Sequence, residues 1–328
     1  MINFNYETII KIYHFLLILL VNLFILYKDL ILNTFTKGEI FLLKYKGISF
    51  AILSSISFGI MPLFARIAYE NGSNPTTVLI FRFLIAGLAL FIYLKYKNVD
   101  LKVEKKQLLI LLLIGFLGYT ITTQTLFISY DYLGGGLATT LHFIYPVVVC
   151  LIGFIFFKYK MSKNKIISLI LASLGVYSLI AFENNTLNAF GVFLALFSGV
   201  SYGTNVIGLS LKSIRNLDNR VVTMYVCLGA AFGMILLGLF ENSIVLEFNV
   251  TLIISYLILA LITTIASMIF LLKAIEIIGP TSSSILGTFE PIISIILGVI
   301  FLNEDFSFAL IIGCTLILSS TVILAIDK

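Results

Sequence analysis

Tryptophan is absent from this 328-residue chain, while histidine occurs twice, cysteine three times and proline five times. Charge is scarce too, at 11% of residues, against about a quarter in an ordinary soluble domain. With 60% hydrophobic residues beside so little charge, most of the chain cannot have water as its solvent. Cys150, Cys227 and Cys314 all fall in apolar runs, where they act as small hydrophobes and supply no disulfide framework. No second His or Cys stands at ligand spacing from His142, so no metal site is expected. A Walker A run, a nucleophile elbow and a kinase signature are all missing. ATP-driven pumping and those chemistries are therefore not encoded, and no cofactor is expected.

What the chain has is long apolar runs, with a mean hydropathy of +1.12. Crossing the hydrocarbon core takes about 20 mostly apolar helical residues. Ten such spans are expected, at 47–69, 76–96, 107–129, 135–157, 165–182, 188–211, 221–240, 251–274, 282–302 and 306–326. The alternating apolar and polar residues of a β-barrel strand are not seen. Basic residues collect in alternate loops: Lys37, Lys44 and Lys46, then Lys95 to Lys106, Lys158 to Lys165, and Lys212 to Arg220. The intervening loops carry Glu70, Asp131, Glu183, Glu241 with Glu247, and Glu304 with Asp305. Basic loops face the cytoplasm, which puts both ends of the ten-span unit, including the C-terminus, on that side of the cell membrane. The thinnest support is at Lys273, the single basic residue between spans eight and nine. The net charge of +5 thus reflects topology rather than nucleic-acid binding.

Residues 1–46 form an N-terminal extension with an apolar stretch at 9–32, interrupted by His14, Asn22, Lys28 and Asp29. It reads either as an eleventh span or as an interfacial helix; a cleaved signal peptide fits less well, because no small-residue cleavage site follows.

The remainder repeats itself. At a constant offset of 144, Gly47, Ala51, Ser54, Ser57, Phe58 and Gly59 match Gly191, Ala195, Ser198, Ser201, Tyr202 and Gly203. At an offset of 145, Gly134, Pro146, Gly153, Phe156 and Ser162 recur as Gly279, Pro291, Gly298, Phe301 and Ser307. Residues 47–182 and 188–328 are therefore expected as two copies of a five-helix unit. Five is odd, so the second copy enters the membrane inverted, and inverted repeats can exchange conformations around one central site.

The small-residue first and sixth spans, Arg82-Phe83, Tyr145-Pro146, Glu290-Pro291 and Leu302-Asn303-Glu304 together resemble the drug/metabolite transporter superfamily, of the EamA-like type with two repeat domains. The resemblance covers about residues 47–326 and implies a transport pathway formed largely by spans 1, 3, 4, 6, 8 and 9. One departure is at Lys158 to Lys160, which lack the Gly-Glu that similar proteins often show.

Ionisable groups inside a span cost about 2.5 to 3.5 kcal/mol on insertion scales, so they default to a functional reading. Glu290 lies roughly 13 Å into the ninth span at about 1.5 Å per residue. It is the first choice for facing substrate or carrying a coupling proton; the bland alternative is a neutral structural acid. Pro146 and Pro291 fall inside helices and should free the carbonyls four residues earlier, on His142 and Gly287, marking two walls of one cavity. For Pro62, which the second copy replaces by Val206, a packing kink is preferred. His142 could bind substrate, though a single histidine is more often a packing residue. Arg82 resembles the family's arginine and is weighted towards a structural anchor that snorkels to the interface. Tyr119, Thr122, Thr123 and Gln124 should face Thr263, Thr264 and Ser267, with Tyr202 and Asn205 adding polarity from the sixth span. Gln124, Tyr145 and Asn205 stand out by hydrogen-bonding capacity, and Tyr202 and Thr264 complete the candidate substrate set. Gly134 to Gly136 read as a tight connection.

The expected function is export or exchange of a small metabolite, an amino acid, nucleoside or similar, by alternating access. Membrane lipid is the surrounding partner and a proton or ion the coupling partner. Two rivals are an integral-membrane enzyme using Glu304 and Asp305 on a lipid-linked substrate, and a sensor that binds without translocation.

Overall fold

A computed structural model describes residues 39–180, 188–247, 249–302 and 308–325. The stretch 9–32, Glu183, Glu304, Asp305, Asn303 and the C-terminal residues 326–328 lie outside the described residues. Among the described residues every regular element is helical. In order they are α1 (Glu39–Gly59), α2 (Met61–Glu70), α3 (Pro75–Tyr96), α4 (Lys105–Leu113), a π segment (Ile114–Tyr119) and α5 (Thr120–Leu133). Next come α6 (Gly135–His142), α7 (Tyr145–Phe157), α8 (Lys163–Ile180), α9 (Ala189–Leu209), the short α10 (Lys212–Arg215) and α11 (Asn219–Phe240). The chain then forms α12 (Val250–Ala260), a second π segment (Leu261–Ala266), α13 (Ser267–Leu286), α14 (Phe289–Leu302) and α15 (Phe308–Ala325).

Six continuous runs among the described residues are long and apolar enough to cross a bilayer: Leu43–Glu70, Pro75–Tyr96, Lys105–Leu133, Ala189–Leu209, Asn219–Phe240 and Val250–Leu286. Tyr145–Phe157 and Phe289–Gly298 are shorter apolar helices. Helix starts are fixed by polar caps that absorb otherwise orphaned amides, each worth about 1 kcal/mol. Asn74 accepts from the Thr77 amide at 2.8 Å, Asn249 from the Leu252 amide at 2.8 Å, and Asn188 from the amides of Phe190 and Gly191. Asp218 caps α11 by accepting from the Arg220 amide.

Several expected spans are interrupted rather than continuous. The fourth breaks after His142, so Pro146 sits in the first turn of a new helix, where a missing amide hydrogen costs nothing. The expected loop between spans eight and nine shrinks to a sharp bend. There α13 turns at Gly279, with φ 80° and ψ 164°, directly before Pro280. Gly134 adopts nearly the same conformation, φ 77° and ψ 162°, between α5 and α6. Such backbone is essentially reserved for glycine.

In the bundle α1 packs along α13, α3 along α11, α5 along α9 and α8 along α15. Close approach relies on small residues, as expected where helices associate by packing. A Cβ on Gly229 would meet the Leu112 carbonyl at 3.1 Å and Gly115 Cα at 3.4 Å, so α11 lies directly on the backbone of the third run. Large apolar side chains such as Phe154, Phe156, Phe193 and Phe240 point outward. The polar ones, Arg82, Gln124, His142, Asn205 and Glu290 among them, are buried.

Candidate functional site

The break between α6 and α7 sets the centre of the site. His142, the last residue of α6, shares a 2.8 Å hydrogen bond between its Nδ1 and Ser198 Oγ on α9. Its ring lies 5.7 Å from Tyr145 and 5.3 Å from Tyr202, and those two tyrosines meet edge to face at 4.9 Å. Tyr119 adds an edge contact to Tyr202 at 6.3 Å. This arrangement needs a bare α9 surface. A Cβ on Gly199 would run into the His142 carbonyl, and one on Gly203 would sit 3.1 Å from the Tyr145 carbonyl.

Tyr145 links this break to a second one, between α13 and α14. Its hydroxyl occupies the space that a Cβ on Gly287 would need. Just beyond, Glu290 is 7% exposed, and its amide donates to the Gly287 carbonyl at 2.9 Å. The expectation that Pro291 leaves that carbonyl free is therefore corrected: the turn before α14 consumes it. The His142 carbonyl meanwhile packs against Gly199. No hydrogen bond or ion pair engages the Glu290 carboxylate among the described residues. Gly59 lies under its backbone, since a Cβ there would be 2.8 Å from the Glu290 carbonyl.

Two residues after Gly59, Met61 touches Arg82. The guanidinium donates to Met61 Sδ at 2.8 Å, to Thr264 Oγ1 at 2.6 Å and to the Thr263 carbonyl at 3.3 Å. It also lies 5.0 Å from the Phe83 ring and 5.9 Å from that of Phe127. At 2% exposure Arg82 does not reach the interface; the snorkelling expected from its depth is corrected, because neutral acceptors and aromatic faces hold it inside. The π segment Leu261–Ala266 presents both Thr263 and Thr264 to it.

The expected pairing of the third and eighth spans is also corrected. Thr122 Oγ1 donates to Ser201 and accepts from Asn205 Nδ2 at 3.1 Å, so it faces α9. Gln124 Nε2 donates to Thr76 on α3 at 2.9 Å, while its Oε1 is buried without a partner. Thr263, Thr264 and Ser267 instead meet Arg82 and Ser54, whose hydroxyl donates to the Ser267 carbonyl. Reading residues singly missed Ser198, Thr76 and Met61 as partners; Ser198 did carry a signal, as a match to Ser54 between the repeats.

Two cavities flank this centre. One, of about 380 Å³, is lined by Pro62, Tyr69, Tyr130, Asp131, Gly134 and Ser294 among others. The other, of about 270 Å³, is lined by Tyr159, Lys160, Lys165, Ser210, Arg215 and Thr281 among others. One helical run, α6 and α7, leads from Gly135 in the first to Tyr159 just past the end of α7 in the second. Among the described residues no three His, Cys, Asp or Glu side chains come together.

An apolar exterior around a buried polar centre defines a multi-pass membrane protein. The sequence profile described as the EamA-like transporter family matches twice, over residues 45–181 and 189–326, and the chain belongs to that family. It is similar to Protein PecM of Dickeya dadantii (strain 3937), 23% identical over 215 residues, covering 65% of this chain and 72% of the relative. It is also similar to an uncharacterized transporter of Helicobacter pylori (strain ATCC 700392 / 26695), 25% identical over 200 residues. That match covers 59% of this chain and 63% of the relative, less than two thirds of its length. A solved structure titled only "Crystal structure of protein" aligns with a TM-score of 0.71 over 85% of this chain and 96% of its own, at 14% identity; this shows a shared fold.

Proposed function

We propose that the chain is a secondary transporter of a small polar metabolite, working by alternating access as an exporter or exchanger in the cell membrane. In this reading ten spans form two inverted five-helix repeats, 47–182 and 188–328, with the basic loops and the C-terminus in the cytoplasm. Paired features support the duplication: positive-φ Gly134 and Gly279 stand 145 apart, and each repeat has a π segment and a break before its proline.

The observation that carries the reading is the pair of cavities. One is lined by Arg66, Gly134 and Gly135, the other by Ser210, Gly279 and Pro280. These are repeat-equivalent positions, at offsets of 144 and 145. The His142, Tyr145 and Tyr202 rings stand between them. Exchanging the conformations of the two repeats would open one mouth while shutting the other.

Substrate would rest against Tyr145, Tyr202 and His142, with Gln124, Asn205 and Thr264 positioned by the networks described. Pro146 and Pro291 set the helix breaks, and Arg82 ties Met61 on α2 to the second π segment. Glu290, buried with no partner for its carboxylate, is the group for a coupling proton. Counterflow of labelled amino acids and nucleosides in proteoliposomes tests the reading. A transporter exchanges label, a sensor only binds it, and an enzyme alters the molecule. Glu290→Gln should abolish the pH dependence of uptake; undiminished pH dependence removes that role.

A further inference from the structure

We propose that the cavity on the basic face is a capture site for small soluble oxyanions, phosphate- or carboxylate-bearing metabolites, held by Lys160, Lys165, Arg215 and Thr281. Its lining contains these three cations and no acid. The opposite cavity differs: its lining includes an acid, Asp131, and its cation, Arg66, is bound to Glu70 at 3.2 Å.

The tendency of cytoplasmic loops to be basic accounts for cations on this face. It does not account for Thr281, which is 5% exposed with a hydroxyl that is buried and lacks a hydrogen-bond partner. A buried polar group left unpaired is costly, and its residue lines a cavity whose charged groups, among the described residues, are all cations. The Tyr159 and Ser210 hydroxyls, 3.3 Å apart, lie on the same wall. Lys165 is half-buried and Lys160 exposed, and neither forms an ion pair among the described residues.

Arg215 is steadied because one guanidinium nitrogen donates to the Glu276 carbonyl. The neighbouring carboxylate, Glu276, faces an adjacent groove and accepts from Asn219 Nδ2 at 3.4 Å. An oxyanion satisfies ammonium, guanidinium and hydroxyl donors at once through charge-assisted hydrogen bonds. About 270 Å³ suits a ligand smaller than the drug-sized molecules that fill most pockets.

The inference rests on the transport reading only for its purpose, the first stop of a substrate on its route. Such a mouth cannot drive net movement; it raises apparent affinity on its own side. The test is equilibrium binding of radiolabelled inorganic phosphate to the full chain in phosphatidylcholine nanodiscs, with acetate as competitor. Saturable binding is expected, weakened roughly tenfold or more by Lys160→Gln with Lys165→Gln, since about 1.4 kcal/mol is tenfold. Thr281→Val, which leaves all charges in place, should weaken it as well. Lys102→Gln with Lys105→Gln, loop cations away from the cavity, should leave it unchanged.

Absence of saturable binding, or equal weakening by the control pair, overturns the proposal. So does loss of phosphate binding in nanodiscs that include phosphatidylglycerol, because the cavity would then belong to a lipid headgroup. Binding is read without flux. A chain that binds phosphate but exchanges no label therefore sinks the transport reading alone.

Discussion

Gly199 and Gly208 lie on the same helix, α9, and replacing each by alanine separates packing from every other effect of losing a glycine. Alanine is better than glycine in a helix interior by about 1 kcal/mol, and it removes similar freedom from the unfolded chain at both positions. The unfolded-chain contribution cancels in the comparison, while the helical preference favours alanine more at mid-helix Gly199 than at Gly208, one residue from the end of α9, so any extra loss at Gly199 is packing. At Gly208 the nearest atoms are the far end of the Ile114 side chain, 3.1 Å from an added Cβ, which can rotate away. At Gly199 the Cβ meets the backbone carbonyl of His142 and comes within 2.6 Å of Ile144 Cγ2. That carbonyl cannot move without dislodging the break between α6 and α7. Overpacking of this kind costs about 1–3 kcal/mol. Gly199→Ala is therefore expected to be less stable than Gly208→Ala by that amount. Gly208→Ala itself should be neutral or slightly stabilised. The measurement is the folded fraction in mixed micelles as the share of denaturing detergent rises. Gly199→Ala should also weaken substrate binding, because Ser198, its neighbour on α9, holds His142 Nδ1. Coincident unfolding midpoints for the two variants would refute the close approach of α9 to His142.

Thr264→Val strips Arg82 of its 2.6 Å acceptor and strands a buried charged donor, so a loss of about 1.5–3 kcal/mol is expected in the same unfolding assay. Thr264→Ser should restore most of it. Outside the spans, hydrogen bonds from Arg220 hold the Asp218 carboxyl below the usual carboxylate range. Its stabilising contribution is therefore complete above the ordinary pKa of about 3.9, and it is lost as pH falls through the lower folded value. Asp218 is about a third exposed, so the effect should stay under about 1 kcal/mol. Asp218→Asn should flatten that acid limb and leave neutral-pH stability lowered by the same small amount.

Composition, with 60% hydrophobic and 11% charged residues, announces the lipid-facing character, and the absence of barrel-like alternation leaves the helix to satisfy the backbone there. A tight bend was legible where the chemistry is local: the Gly134 to Gly136 run ends α5 and begins α6. Proline was only half informative. Its missing amide predicts a disruption, yet the chain can answer either by bending one helix or by ending it and starting another. At Pro146 the second answer is found, and the turn residues 143–144 that permit it carry no special composition.

Side-chain partners were the least legible part, and the π segments are the reason. An α-helix advances about 100° per residue, so one extra residue in a wider turn rotates everything after it by roughly that angle. Comparable depth in the two spans set Thr122, Thr123 and Gln124 against Thr263, Thr264 and Ser267. The π segment Ile114–Tyr119 precedes them, and Thr122 faces Ser201 and Asn205 while Gln124 reaches Thr76. In the eighth span the π segment includes Thr263 and Thr264 themselves, and both are given to Arg82. The same widening opens backbone to neighbours: the Gly118 carbonyl accepts from Ser201, and the Thr263 carbonyl accepts from both Ser267 and Arg82. In the eighth span the segment thus brings a hydroxyl and a carbonyl to the guanidinium together. Arg82 can therefore stay buried because the helix beside it is irregular, and periodicity cannot reveal a partner that the departure from periodicity creates.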